Sequence, residues 1–210
     1  TLDGTLFPYR RSSDLPEEGR YWLGGDLGYT NDPCELFVAR ETPMPGSEKG
    51  KLEIILRIHL EHVAYPYVSL LLGMLDERFH FLGMGVDNGG NGLSVVQELH
   101  TMDKFQHLHL IDDVTGASRL RGFDFGGSTV VGENPNGQEI KKRTKEFMTT
   151  CMNGRMRRGQ IAFPDSDHDI EDQITTQTYT LSNGNVIYSK GNDHINDALR
   201  CLALVHELAG

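Results

Sequence analysis

A chain of 210 residues is long enough to bury one sizeable core, and at about 150 residues per domain it favours one domain with elaborations. Its formal net charge of −10 argues against indiscriminate nucleic-acid binding, no run approaches the ~18 apolar residues of a membrane span, and no signal sequence opens it. Cys34, Cys151 and Cys201 are odd in number and too far apart for a disulfide framework or a CxxC zinc site, so a soluble protein of a reducing compartment is expected.

Thr1 to Arg20 is polar and aperiodic and starts without Met, so residues 1–20 read as a linker within a longer protein and 21–210 as one domain. Tyr21-Trp22-Leu23-Gly24-Gly25-Asp26 reads as a buried strand delivering a carboxylate into a glycine-lined turn, where backbone can approach a ligand. Strands are expected at Glu35–Arg40 and Leu52–Leu60, and three consecutive strands joined by short turns suggest an antiparallel meander. Pro66 to Phe79 has helical spacing. Phe81 to Asp87 repeats the first strand's design, an apolar run ending in aspartate and then in glycines.

Leu93 to His100 reads as a helix, and His107–Ile111 as a fifth strand paired in parallel. Gly116 to Gly137 reads as a long glycine-rich loop, and Glu139 to Met156 as a helix. Ile161–Pro164 is a short strand and Asp169–Thr178 a helix opened by acids. A hairpin turns on Asn183-Gly184, and a helix from about Asp193 to Leu208 closes the chain. Gly46 to Leu52 mimics a phosphate-binding loop, but it is a residue short, lacks the Ser/Thr and precedes a strand; it reads as a turn.

Three acidic positions sit at element boundaries: Asp26, Asp87 and the Asp193-His194-Ile195-Asn196-Asp197 cluster. Asp193 and Asp197, like His194 and Asp197, share a helix face, and small Ala198 and Gly191 suit close packing on a sheet. If the strand ends are neighbours and this helix crosses them, hard oxygen ligands and one imidazole converge, a set suited to Mg²⁺ or Mn²⁺. Each Asp before Gly also suits a turn, and Asp193 a helix cap. From Glu139 to Arg158 there are seven basic residues (Lys141, Lys142, Arg143, Lys145, Arg155, Arg157, Arg158) against two acidic, a local +5 that serves either as a solvated face or as a phosphate-contacting surface.

Gly24–Pro33, Gly85–Gly92 and Asn192–Arg200, in this order and with the hairpin just before the last, resemble the ribonuclease-H-like nucleases. More narrowly, they resemble the C-terminal nuclease domain of the large terminase subunit of tailed bacteriophages. The resemblance implies an α/β fold: a mixed central sheet, antiparallel meander plus parallel strands, flanked by helices, with an extra β-hairpin before the C-terminal helix. It also implies a two-metal endonuclease that cuts concatemeric double-stranded viral DNA during genome packaging, in the host cell cytoplasm and without a membrane partner. Asp26 would bridge two Mg²⁺ or Mn²⁺ ions, Asp87 would bind one, and Asp197 with Asp193 or His194 would complete the set. Where the family often has a second adjacent acid this chain has His194, which resembles the HxxD of some Holliday-junction resolvases. Implied partners are double-stranded DNA, an ATPase motor domain in the full-length protein, the small terminase subunit and the portal. Two other readings stand beside it: an actin- or sugar-kinase-like phosphotransferase, because Gly25 to Thr30 resembles that superfamily's phosphate hairpin, and a non-catalytic DNA-docking module of the packaging machine.

Overall fold

Tyr21 and Leu23 alternate with Trp22 and Gly24 along the first strand, and a strand apolar on both faces has to be covered on both sides. In a computed structural model of the chain, β1 (Arg20–Asp26) lies inside a six-stranded sheet between two apolar layers. The structure describes residues 19–28, 32–89, 92–111, 117–164, 167–182, 185–189 and 193–209; the proposed linker, up to residue 18, lies outside them. β2 (Cys34–Thr42) and β3 (Lys51–Leu60) complete the antiparallel meander. The helix α1 (Tyr65–Phe79) carries the chain back to β4 (Gly83–Asp87), which pairs in parallel with β1. Pro66 opens α1, and His80, in the left-handed region at φ 50°, ends it.

After α2 (Gly92–Thr101) the expected strand at His107–Ile111 is instead a short 3-10 helix, Asp103–Leu108, closed by His109 at φ 47°. The fifth strand of the sheet is β5 (Leu120–Phe123), inside the stretch expected to be loop, and β6 (Ser128–Glu133) follows it there. β7 (Glu139–Arg143) pairs with β6, so the expected helix from Glu139 begins only at Thr144, as α3 (Thr144–Arg157). These corrections share a cause. The alternation in His107-Leu108-His109-Leu110 is strand-like, but among the described residues this stretch contributes one isolated bridge, Ile111 to Ser118, whereas Leu120-Arg121-Gly122-Phe123 is short and glycine-interrupted yet lies along β4.

β8 (Ile161–Ala162) extends the sheet beyond β3, α4 (His168–Thr176) follows, and β9 (Tyr179–Ser182) with β10 (Asn185–Tyr188) forms the expected hairpin. The last helix, α5 (His194–Leu208), lies across the sheet. The sheet order β5-β4-β1-β2-β3-β8 puts β1 and β4 side by side. On one face Leu23, Leu36, Val86, Leu72 and Val95 make a core beneath α1 and α2; on the other Trp22, Phe37, Leu202 and Met148 make a second beneath α5 and α3. The phosphate-loop look-alike is a turn: Gly46 adopts φ 76°, and Lys49 Nζ donates to the carbonyls of His206 (2.9 Å) and Ala209 (2.7 Å), holding the C-terminus of α5.

Candidate functional site

β1 and β4 run in parallel with Gly24 beside Gly85 and Gly25 beside Val86, a register that carries Asp26 and Asp87 to adjacent strand ends. Side chains of alternate residues share a face, so both aspartates stand on the face that α5 covers. Two glycines let α5 come that close. A Cβ at Gly24 would stand 2.5 Å from the carbonyl oxygen of Ala198, and one at Gly85 2.6 Å from that of Cys201. Backbone of α5 therefore rests on backbone of the sheet, and the first turn of the helix hangs over the two aspartates.

Asp26 and Asp197 are each 8% exposed. Burial pushes the Asp26 carboxyl up to about 6; the charges of Asp197 and Asp87 add to the rise, while a hydrogen bond with His194 opposes it. Asp87 and Asp197 are also raised, again chiefly by burial. The Gly89 N–H restrains Asp87, and Arg200 and Lys145 restrain Asp197. Asp87 feels Asp197 as Asp26 does, so these three carboxylates from three elements share one field.

Three basic side chains meet the acids. His194 Nδ1 lies 2.7 Å from Asp26 Oδ2, and that bond raises the imidazole pKa. Lys145 Nζ reaches Asp197 (3.0 Å) and Asp193 (3.3 Å). Arg200, fully buried, pairs with Asp197, Gln177 and Thr149. Asp193 occupies the cap position of α5 without capping it: its carboxylate turns to Lys145, and the Ile195 N–H donates to Gln173 of α4 (3.1 Å). Among the described residues no three His, Cys, Asp or Glu side chains stand ready as a cage for one ion. The oxygen-rich donor set Asp26, Asp87, Asp193 and Asp197, with its mutual repulsion, nevertheless fits hard divalent cations. Gly90, Asn91, Gly191, Asn192 and the segment Tyr29 to Asn31 lie outside the described residues.

Asp124 was missed by sequence reasoning. It follows β5, whose Phe123 pairs with Asp87, and its charge raises Asp87. The signal was there: Phe123-Asp124-Phe125-Gly126-Gly127 is a third strand end with aspartate and glycines. Arg200 was missed as well, because its burial against Asp197 depends on α3 and α4 closing over it.

The basic segment divides into four. Lys141, Lys142 and Arg143 are exposed on β7, Lys145 turns into the acids, and Arg157 and Arg158 are exposed at the far end of α3. Arg155 is a correction. It is 1% exposed, its Nη2 bonds Glu207 at 2.7 Å, and a guanidinium packed beneath α5 cannot reach a phosphate. Beside the acids, between the β6–β7 and β9–β10 hairpins, opens a cleft of about 520 Å³ whose lining includes Phe125, Arg143, Lys145, Tyr188, Asp193 and His194.

A 3-2-1 meander extended by two parallel strands, under a helix that brings an acid to their ends, defines a ribonuclease-H-like α/β fold. Within that class, the chain has the fold of the large terminase nuclease domains. It is similar to the large terminase nuclease of thermophilic phage G20c with bound magnesium, with 18% identity and a TM-score of 0.62 over 91% of this chain and 84% of that one. The nuclease domain of Thermus phage P74-26 matches at 17% identity and a TM-score of 0.57, over 92% and 81%. The large terminase of another thermophilic bacteriophage, in complex with ADP, matches at 13% identity and a TM-score of 0.58; 92% of this chain spans 41% of that protein. The G20c nuclease has also been solved with cobalt and with zinc. No family model and no curated protein matches the sequence.

Proposed function

We propose that this chain is a Mg²⁺- or Mn²⁺-dependent endonuclease that cuts concatemeric double-stranded viral DNA during genome packaging. One observation carries the reading: Asp26, Asp87 and Asp197, from two strands and a helix, converge on one sheet end, where each is raised by burial and Asp197 acts on both of the others. Its similarity in fold to nucleases solved with magnesium, cobalt and zinc supports it.

Asp26 and Asp87 would hold two divalent ions, with Asp197, Asp193 and His194 completing the set. Bound there, such ions supply a water nucleophile at neutral pH and offset charge on the leaving oxygen. Burial keeps the carboxylates from relaxing toward solvent. His194 orients Asp26 through the 2.7 Å bond, and Arg200 fixes Asp197. Arg143, which lines the cleft, and the exposed Lys141 and Lys142 of the same strand would offer positive charge to the DNA backbone. Residues 21–210 would be the nuclease domain behind a linker, working in the host cytoplasm beside an ATPase motor, the small terminase subunit and the portal.

The test is nicking of supercoiled plasmid with Mg²⁺ or Mn²⁺, with and without chelator. Wild type is expected to nick only with metal, and Asp26→Asn to lose at least about a hundredfold, the order of a removed charge-stabilising group. Full activity of Asp26→Asn would sink the reading. One observation favours a second reading, the docking module: Lys145, Arg200 and His194 already satisfy the acids. Calorimetric titration with Mn²⁺ separates the two, since a docking module binds none at this site.

A further inference from the structure

We propose that the cleft beside the acids is a binding site for one unpaired nucleotide of the strand being cut. Its volume of about 520 Å³ lies in the range of sites that take a single small ligand, roughly 300–1,000 Å³. Phe125 and Tyr188, from the loop before β6 and from β10, line it, and the ammonium of Lys145 stands 5.2 Å from one ring centroid and 5.9 Å from the other. Both rings therefore face one point. Phe125 packs partly against the core beneath α5, and the Arg200 guanidinium, 5.0 Å from the Tyr188 ring, steadies that ring, yet both side chains stay only half-buried. Rings that line an open polar cleft next to cations are the chemistry that stacks bases, and only an unstacked base offers its face to them.

The charges fit a phosphate on one side only. Glu146 accepts from the Val186 N–H at 3.3 Å, Asp193 is held by Lys145, and Asp32 acts on the His194 imidazole. Arg143 lines the same cleft, is exposed, and has no side-chain ion pair among the described residues. The structure thus offers the base to Phe125 and Tyr188 and the phosphate to Arg143, with Asp193 and His194 at the adjoining wall. This inference rests on the DNA-cutting reading and sharpens its substrate: a duplex frayed, bulged or opened at the cut is preferred to a fully paired one.

Fluorescence anisotropy of the whole 210-residue chain in excess chelator, with a labelled oligothymidylate and a labelled duplex of equal length, tests it without metal or cleavage. Phe125→Leu with Tyr188→Leu keeps the apolar character of the walls; it is expected to weaken single-strand binding roughly tenfold and duplex binding less than about twofold, as the loss of base stacking dictates. Arg143→Gln is expected to weaken both. Wild-type single-strand affinity in the double leucine variant, equal losses on both probes, or no single-strand binding by the folded wild type overturns the proposal. Ring-dependent single-strand binding in a chain that never nicks DNA with metal would overturn the nuclease reading and leave the site standing. Metal-dependent nicking with ring-independent binding would do the reverse.

Discussion

Asp26 holds its proton up to about pH 6 in the fold, against 3.8 for an ordinary aspartate, chiefly because burial penalises the charged form. A carboxyl raised in this way gives its full contribution to stability below the unfolded value, loses it as pH climbs from about 4 to about 6, and is a constant cost above. Asp26→Asn, neutral throughout, is therefore expected to exceed the metal-free wild type by about 1–2 kcal/mol at pH 7, with the gap closing near pH 4. His194 sets the discount, since its own pKa is raised by the Asp26 bond and that stabilisation goes with the carboxylate. Thermal unfolding in chelator across this range is the measurement; a variant less stable than wild type at pH 7 would show that the imidazole pair outweighs the burial. The sequence displayed Asp26 as a strand-end acid. It could not display the pKa, which comes from a helix laid over the carboxylate from the other end of the chain.

At the scale of elements, the site depends on how closely α5 lies on the sheet and on what holds α4 beside it. Gly85→Ala puts a methyl 2.6 Å from a carbonyl of α5 and 2.9 Å from Val205 Cβ, so the helix has to lift. The expected cost is about 1–3 kcal/mol by urea denaturation, with weaker Mn²⁺ binding by calorimetry because Asp197 moves with the helix. The second contact is Arg57, buried on β3, which pairs with Glu35 at 2.8 Å and with Asp167, the N-cap of α4, at 3.1 Å. Arg57→Met removes the guanidinium from two buried carboxylates, leaving Glu35 to His59 and Asp167 to the Ile170 N–H, and is expected to cost about 3–5 kcal/mol; adding Glu35→Gln should recover part of it. If the single substitution proves neutral in denaturation, α4 is held by other contacts. The elements themselves were largely legible, since the meander, α1, α2, the hairpin and α5 follow from apolar periodicity and turn chemistry. β5, β6 and β7 were not: short strands with glycine or consecutive lysines become strands only because a neighbour supplies the hydrogen bonds.

Across the whole molecule the charge of −10 conceals a basic rim. Lys141 and Lys142 precede the cleft-lining Arg143 on β7, whereas Arg157 and Arg158 close α3 about 20 Å from Lys145, at 1.5 Å per residue. Replacing the first three by alanine is expected to lower DNA affinity and to flatten the logarithmic salt dependence by roughly 2–3 in slope, about one for each phosphate no longer neutralised. Arg155→Met should leave that slope unchanged, because the guanidinium lies buried beneath α5 and out of reach of a phosphate. Binding isotherms in chelator at several salt concentrations check both; an altered slope for Arg155→Met would restore it to the DNA-facing set.

Periodicity and turn chemistry by themselves determined a chain of strands and helices with a three-stranded meander, two strands ending in aspartate and a terminal helix carrying Asp193, His194 and Asp197. Local patterns report which residues seek the interior and where the backbone turns. Only the tertiary structure decided that Gly24 and Gly85 admit α5 onto the sheet, that Asp124 stands close enough to Asp87 to act on it, that Lys145 and Arg200 hold the carboxylates, and that Arg155 is buried. Those facts depend on residues far apart in sequence meeting in space, where the nearest neighbour sets the cost of a charge.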